Sequence, residues 1–183
     1  LLPYILSMFA IMLIFFTLPT NFSIIMTQES IVPTTLIGVL MSVQNLFAFL
    51  VGMNLGIFTR LFKGSTKYAA VSMLMLGFFI LGFASNVIMI TLGLVFVGIG
   101  LGVIVPLLNS QISLNIEKER APSAMALMSF MLYLGQFLSP IIMDFIKNIL
   151  NWNNIRAPFY LSGFIAIILI ISFRWVSIKD HKN

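Results

Sequence analysis

The stretch GLVFVGIGLGVIVPLLNSQISLNIEKERAPSAMALMSFMLYLGQFLSP, residues 93–140, decides how this chain is read. It holds two long apolar runs joined by a short charged loop. The first run carries Gly93, Gly98, Gly100 and Gly102, then Pro106 and a polar patch of Asn109, Ser110 and Gln111. The second carries Ser129, Gly135, Gln136, Ser139 and Pro140. Between them IEKER, Ile116 to Arg120, is the one dense charge cluster of the chain. Two apolar runs with a charged connection form a pair of membrane helices, with the connection expected in the cytoplasm.

Composition extends this to the whole chain. It is 60% hydrophobic and 8% charged, whereas a soluble domain is about 25% charged. So few charges cannot supply a polar shell, and the chain is expected to be an integral membrane protein. Cysteine is absent, which excludes disulfide frameworks and thiolate metal sites. The net charge of +5 reads as topology rather than nucleic-acid binding, because the bases sit in particular loops. The chain opens at Leu1, already inside a hydrophobic run without a basic flank, so a further part of the polypeptide is expected upstream.

A helix needs about 20 apolar residues to cross a hydrocarbon core of about 30 Å. Six segments qualify: Pro3 to Leu18, ending at Pro19; Thr35 to Phe58; Tyr68 to Phe83; Val87 to Gln111; Ser123 to Phe145; and Ala157 to Phe173. None has the two-residue alternation of an outer-membrane barrel. The bases then orient the spans. Arg60, Lys63, Lys67, Lys118, Arg120, Arg174, Lys179 and Lys182 fall on one side, and only Lys147 and Arg156 on the other. The base-rich side is expected in the cytoplasm, with both termini there, as an even number of spans requires. Trp152 and Trp175 fall at opposite expected interfaces.

Polar residues are uneven. The third span offers Ser72 and the sixth Ser162 and Ser172, so both are expected to face lipid. The second, fourth and fifth carry Gln44, Asn45, Asn109 and Gln136 at membrane depth. Such amides either bond between helices, at about 0.6 kcal/mol each, or line a substrate cavity. At least one of the four is expected to line the cavity. The plain spans lie three apart, which is the weak symmetry of a 3+3 inverted repeat. Gly52 and Gly56, and Gly98 and Gly102, have the GxxxG spacing of close helix packing, which a moving contact would also need. Pro106 favours a kink, either a static bend or a hinge.

Asp144 is the one acid inside an expected span and so a possible proton site. It lies near the outer end of the fifth span with Lys147 three residues on, and an interfacial pair between them is the expectation. Arg60, Lys63 and Lys67 form a basic turn. It signals topology and contacts lipid headgroups, or it supplies a gate contact that breaks and reforms. No enzyme constellation is present: the single His181 is in the tail, and there is no nucleophile elbow, phosphate loop or metal spacing.

Three stretches carry a resemblance. GIGLGVIVPLLNSQIS, from Gly98, is similar to helix 10 of the major facilitator superfamily. SAMALMSFMLYLGQFLSP, Ser123 to Pro140, is similar to its helix 11. GIFTRLFKGSTK, Gly56 to Lys67, resembles a worn copy of the family's Gly-x3-Asp-Arg-x-Gly-Arg-Lys loop, with the acid missing and Arg60 left without it.

The resemblance implies an all-α membrane protein: residues 1–183 as the C-terminal half-bundle, equivalent to helices 7 to 12, of a twelve-helix transporter whose N-terminal half is missing. It implies two bundles rocking about a central cavity. Present spans 1 and 4 would line the cavity, 2 and 5 would meet the missing half, and 3 and 6 would face lipid. Among subfamilies the likeness is to proton-coupled multidrug exporters of the prokaryotic cytoplasmic membrane. The expected partners are the lipid bilayer, a small-molecule substrate, the proton as coupling ion and the missing half. The abundance of Met and Phe, with no fixed charge, suits greasy substrates. Two other functions fit six spans: a stand-alone substrate-binding subunit of an importer, and a truncated transporter that does not transport. An open apolar flank on the bundle would argue against the binding subunit.

Overall fold

The structure, a computed structural model, describes residues 2–117 and 119–180. Seven α-helices account for it: α1 (Leu2–Glu29), α2 (Thr34–Met53), α3 (Leu55–Phe62), α4 (Thr66–Phe83), α5 (Val87–Asn115), α6 (Ala121–Ile149) and α7 (Ala157–Asp180), with a 3-10 turn at Lys63–Ser65. Six spans are long and apolar enough to cross a membrane. Lys118, His181 and Lys182 lie outside the described residues, as do the side chains of Trp175 and Lys179.

Two boundaries differ from expectation. The first helix runs through Pro19 to Glu29 rather than stopping there. Proline deletes one backbone donor, and lipid offers no alternative partner for a broken helix, so the helix continues past it. Just beyond the proline, the Thr20 hydroxyl donates to the Phe16 carbonyl at 2.8 Å and the Asn21 amide to the Thr17 carbonyl at 3.0 Å. The second helix ends early, at Met53, where the Asn54 amide donates to the Leu50 carbonyl at 2.9 Å. The chain restarts as the short α3. It then turns at Lys63, whose φ of 48° and ψ of −128° are unusual for a residue with a side chain.

The helices form an open ring in the spatial order α2, α5, α4, α7, α1, α6. The packing has a two-fold pattern. α2 packs on α5 as α6 packs on α1, α4 packs on α5 as α7 packs on α1, and α4 meets α7 across the axis. This is the 3+3 inverted repeat expected from the sequence. The ring is open between α2 and α6, and these two spans are the least buried, at 22% and 17% against 44% to 50% for the others.

The seams explain where glycine is needed. A Cβ on Gly98 or Gly102 of α5 would strike the backbone of α2 at Gln44 or Ala48. On the other side of α5, a Cβ on Gly100 would sit 2.7 Å from the Ala70 carbonyl of α4. Gly135 of α6 would likewise meet the Phe9 carbonyl of α1 at 2.6 Å. Backbones this close supply the dispersion contacts that hold helices together where no hydrophobic effect acts between them. The pair on the second span behaves differently. Gly52 meets the Gly102 carbonyl oxygen of α5 at an ordinary 3.4 Å, in the same seam, whereas Gly56 lies past the helix break on α3 and has nothing within 4 Å.

α4 and α7 form the back of the ring. Leu76, Phe83, Phe164, Ile168 and Ile171 point outward from it, the exposure that a lipid-facing surface requires. Their inner faces are not plain, however. Buried Ser162 of α7 donates to the Ile14 carbonyl at 3.4 Å, close to where buried Ser139 of α6 donates to the Leu13 carbonyl at 2.7 Å.

Candidate functional site

An open groove of ≈ 380 Å3 runs along the inside of the ring, lined by Met12, Phe15, Phe16, Ala48, Leu101, Gly102, Val105, Pro106 and Leu132. Most of the wall comes from α1 and α5, the first and fourth spans. Pro106 sits on the groove wall inside a continuous α5, so its distortion falls where a ligand would lie. The wall is apolar, and it can hold a greasy molecule by shape and dispersion but offers no charge.

None of Gln44, Asn45, Asn109 and Gln136 lines this groove. Gln44 is 1% exposed, in the α2–α5 seam beside Gly98, and its side-chain amide nitrogen and oxygen have no hydrogen-bond partner among the described residues. Asn45 and Gln136 are exposed on α2 and α6, and Asn109 is half-buried on α5. Residue type and depth identified these amides, but depth does not give azimuth: 45 and 136 are exposed, and 44 turns into the seam.

The expected pair between Asp144 and Lys147 does not form. The ion pairs among the described residues are Arg120 with Glu117, exposed at 3.3 Å, and Arg156 with Glu29. Asp144 is exposed and falls at helical spacing with Gln136 and Pro140 on the open face of α6. Three residues along a helix permit a pair but do not compel one, and an exposed pair gains little.

At the base-rich end, Lys63 and Lys67 line a cavity of ≈ 310 Å3 together with Tyr4, Thr59, Gly64, Thr66 and Gln111. Arg60 is exposed beside it but is not part of its wall. The Thr59 hydroxyl donates to the Gly56 carbonyl at 3.0 Å. The Lys67 ammonium lies 5.2 Å from the Tyr68 ring centroid and 5.4 Å from that of Phe173. The Tyr68 hydroxyl donates to the Phe173 carbonyl at 3.2 Å, so the start of α4 is tied to the end of α7.

The opposite end holds a constellation that sequence reasoning did not assemble. Arg156 Nε donates to both Glu29 oxygens, at 2.9 and 2.8 Å, and Nη1 donates to the carbonyls of Gly82 and Ala84, at 3.1 and 2.6 Å. The two side chains are 13% and 26% exposed. Tyr160 donates to the same Gly82 carbonyl at 2.6 Å, and Trp152 stacks on Tyr160 at 5.8 Å. One guanidinium thus closes the ends of α1 and α4 onto the start of α7. The available signal was a lone acid and an arginine sharing the base-poor side.

A family model described as Major Facilitator Superfamily matches residues 4–183. The chain belongs to the major facilitator superfamily. It is a multi-pass membrane protein of a family whose work is transport across membranes, and six helices form one half-bundle of that fold. No curated protein and no solved structure matches the chain.

Proposed function

We propose that this chain is the C-terminal half of a secondary transporter working by alternating access, and that its activity is proton-coupled efflux of apolar or variable small molecules. The observation that carries this is the gap in the ring. α2 and α6 leave their outer faces uncovered, and between them lies a groove walled by Met12, Phe15, Phe16 and Pro106. A half-cavity with two exposed flanks is the shape a second bundle would complete, and an open apolar flank disfavours a stand-alone binding subunit. The N-terminal six-helix bundle would seat on α2 and α6. It would also meet Asn45, Gln136 and Asp144, whose side chains already stand on those faces. Asp144 then becomes the candidate for carrying a proton, and Lys63 and Lys67 the cytoplasmic gate contacts, with the base-rich end inward in a prokaryotic cytoplasmic membrane.

The test is the reading frame upstream of Leu1 together with ethidium efflux by the full-length product. Six further spans, and extrusion that stops when a protonophore collapses the gradient, support the proposal. A frame that opens at Leu1, or dye retention by cells that carry the full protein in their membrane, overturns it.

A further inference from the structure

On the outer side of the Lys63–Ser65 turn, an open notch of ≈ 330 Å3 lies between the start of α4 and the end of α7, lined by Ser65, Tyr68, Ile170 and Arg174. We propose that it binds the phosphate of an anionic phospholipid. The walls have the two chemistries such a molecule needs at one height in the bilayer. Arg174 makes no ion pair among the described residues, and a guanidinium recognises phosphate by paired hydrogen bonds. Ser65 precedes α4 without capping it, so its hydroxyl is uncommitted. One turn inward from Arg174, Ile170 supplies an apolar wall, and the outward faces of α4 and α7 continue it with Leu76, Ile168 and Ile171. Lys67 lines the neighbouring cavity, and its ammonium lies over the ring of Tyr68, which walls the notch, and over that of Phe173.

No carboxylate lines the notch, so the charge is uncompensated from within the described residues. A site for a free anion would lack the need for the apolar wall; the combination of cations above and a greasy surface below selects a lipid. Lipid exposure also fits the position of α4 and α7 at the back of the ring, away from the open side. The inference does not rest on the transport reading, since the notch belongs to the half-bundle itself.

The experiment uses the full-length protein extracted in mild detergent and examined by native mass spectrometry with added phosphatidylglycerol, phosphatidylcholine or inorganic phosphate. Phosphatidylglycerol should be retained over phosphatidylcholine. Arg174→Gln and Lys67→Gln should each weaken that retention about fivefold, the effect of one base near an anionic surface. Arg120→Gln removes a base that is paired with Glu117 and lies outside the notch, and it should leave retention unchanged. Arg174 is exposed and makes no ion pair among the described residues, so its variant should melt with the wild type and report binding alone. Equal retention of the two lipids, equal weakening by Arg120→Gln, or binding of inorganic phosphate that excludes the lipid would each overturn the proposal.

Discussion

Replacing Gly102 with alanine tests the seam that holds α2 to α5. The added methyl would land on the carbonyl oxygen of Ala48, 2.9 Å from its Cα and 3.0 Å from its carbonyl carbon. Carbon atoms settle at about 3.5–4.0 Å, and this obstacle is backbone, which cannot rotate aside as a side chain can. α2 must therefore back away by roughly 0.5–1 Å, and a gap of that size forfeits a quarter to a half of each contact across it. The expected loss is about 2 kcal/mol, in the range for overpacking a well-filled interior. Gly56 is the internal control. It has nothing within 4 Å, and alanine there improves helix propensity by about 1 kcal/mol at most. Thermal unfolding in detergent micelles should place Gly102→Ala lower by about 4–8 °C and Gly56→Ala at or above the wild type. If both variants melt with the wild type, or if Gly56→Ala falls as far as Gly102→Ala, the assignment of the seam is wrong.

Other residues give sharper single tests. Arg156→Ala strands Glu29 and two carbonyls near the interface and should cost about 3 kcal/mol, while Arg156→Lys, one ammonium for a fork of donors, should recover only part of it; equilibrium unfolding distinguishes the three proteins. Gln44→Met keeps the volume and removes two unpartnered buried atoms, so it should raise stability by about 1–3 kcal/mol, and a loss would mean that the amide is satisfied by a group from outside this bundle. Lys63→Gly should stabilise the turn by about 1 kcal/mol by relieving a φ of 48°, and a lower melting temperature would contradict the strain. Ser139→Ala should cost about 0.6 kcal/mol through the lost bond to the Leu13 carbonyl, a shift to be read in the same unfolding assay.

The fold was legible because composition and loop charge report independent things. Apolar length gave six spans, and the distribution of bases gave an alternation consistent with them. Boundaries were less legible where a residue has two behaviours. Pro19 stops a helix in water but not in lipid, and the second span breaks at Asn54, whose amide turns back to the Leu50 carbonyl. The α5 seam was legible from Gly98 and Gly102, since a small-residue stripe is useful only against a neighbour. The same spacing at Gly52 and Gly56 straddles the helix break at Asn54, so only Gly52 meets α5. Arg156 and Glu29 are 127 positions apart, and only the folded ring brings them together.

The polar groups of this chain fall into two populations, and the division bears on its function. Thr17, Ser139 and Ser162 are fully buried and bonded within the bundle, tying α1 to α6 and α7. Tyr68, Tyr160 and Arg156 satisfy backbone carbonyls across helices at the two ends. Those groups account for the stability of one rigid half. Asn45, Gln136 and Asp144 do none of this work; they stand exposed on the two helices that border the gap. A polar side chain facing hydrocarbon costs free energy and serves no packing role there, whereas the same side chain facing another protein surface finds a partner. On α2 and α6 these three groups stand where a second protein surface would give them partners. On the proposed assembly that surface is the other bundle, and the contacts these groups make are ones that can be exchanged as the two halves rock.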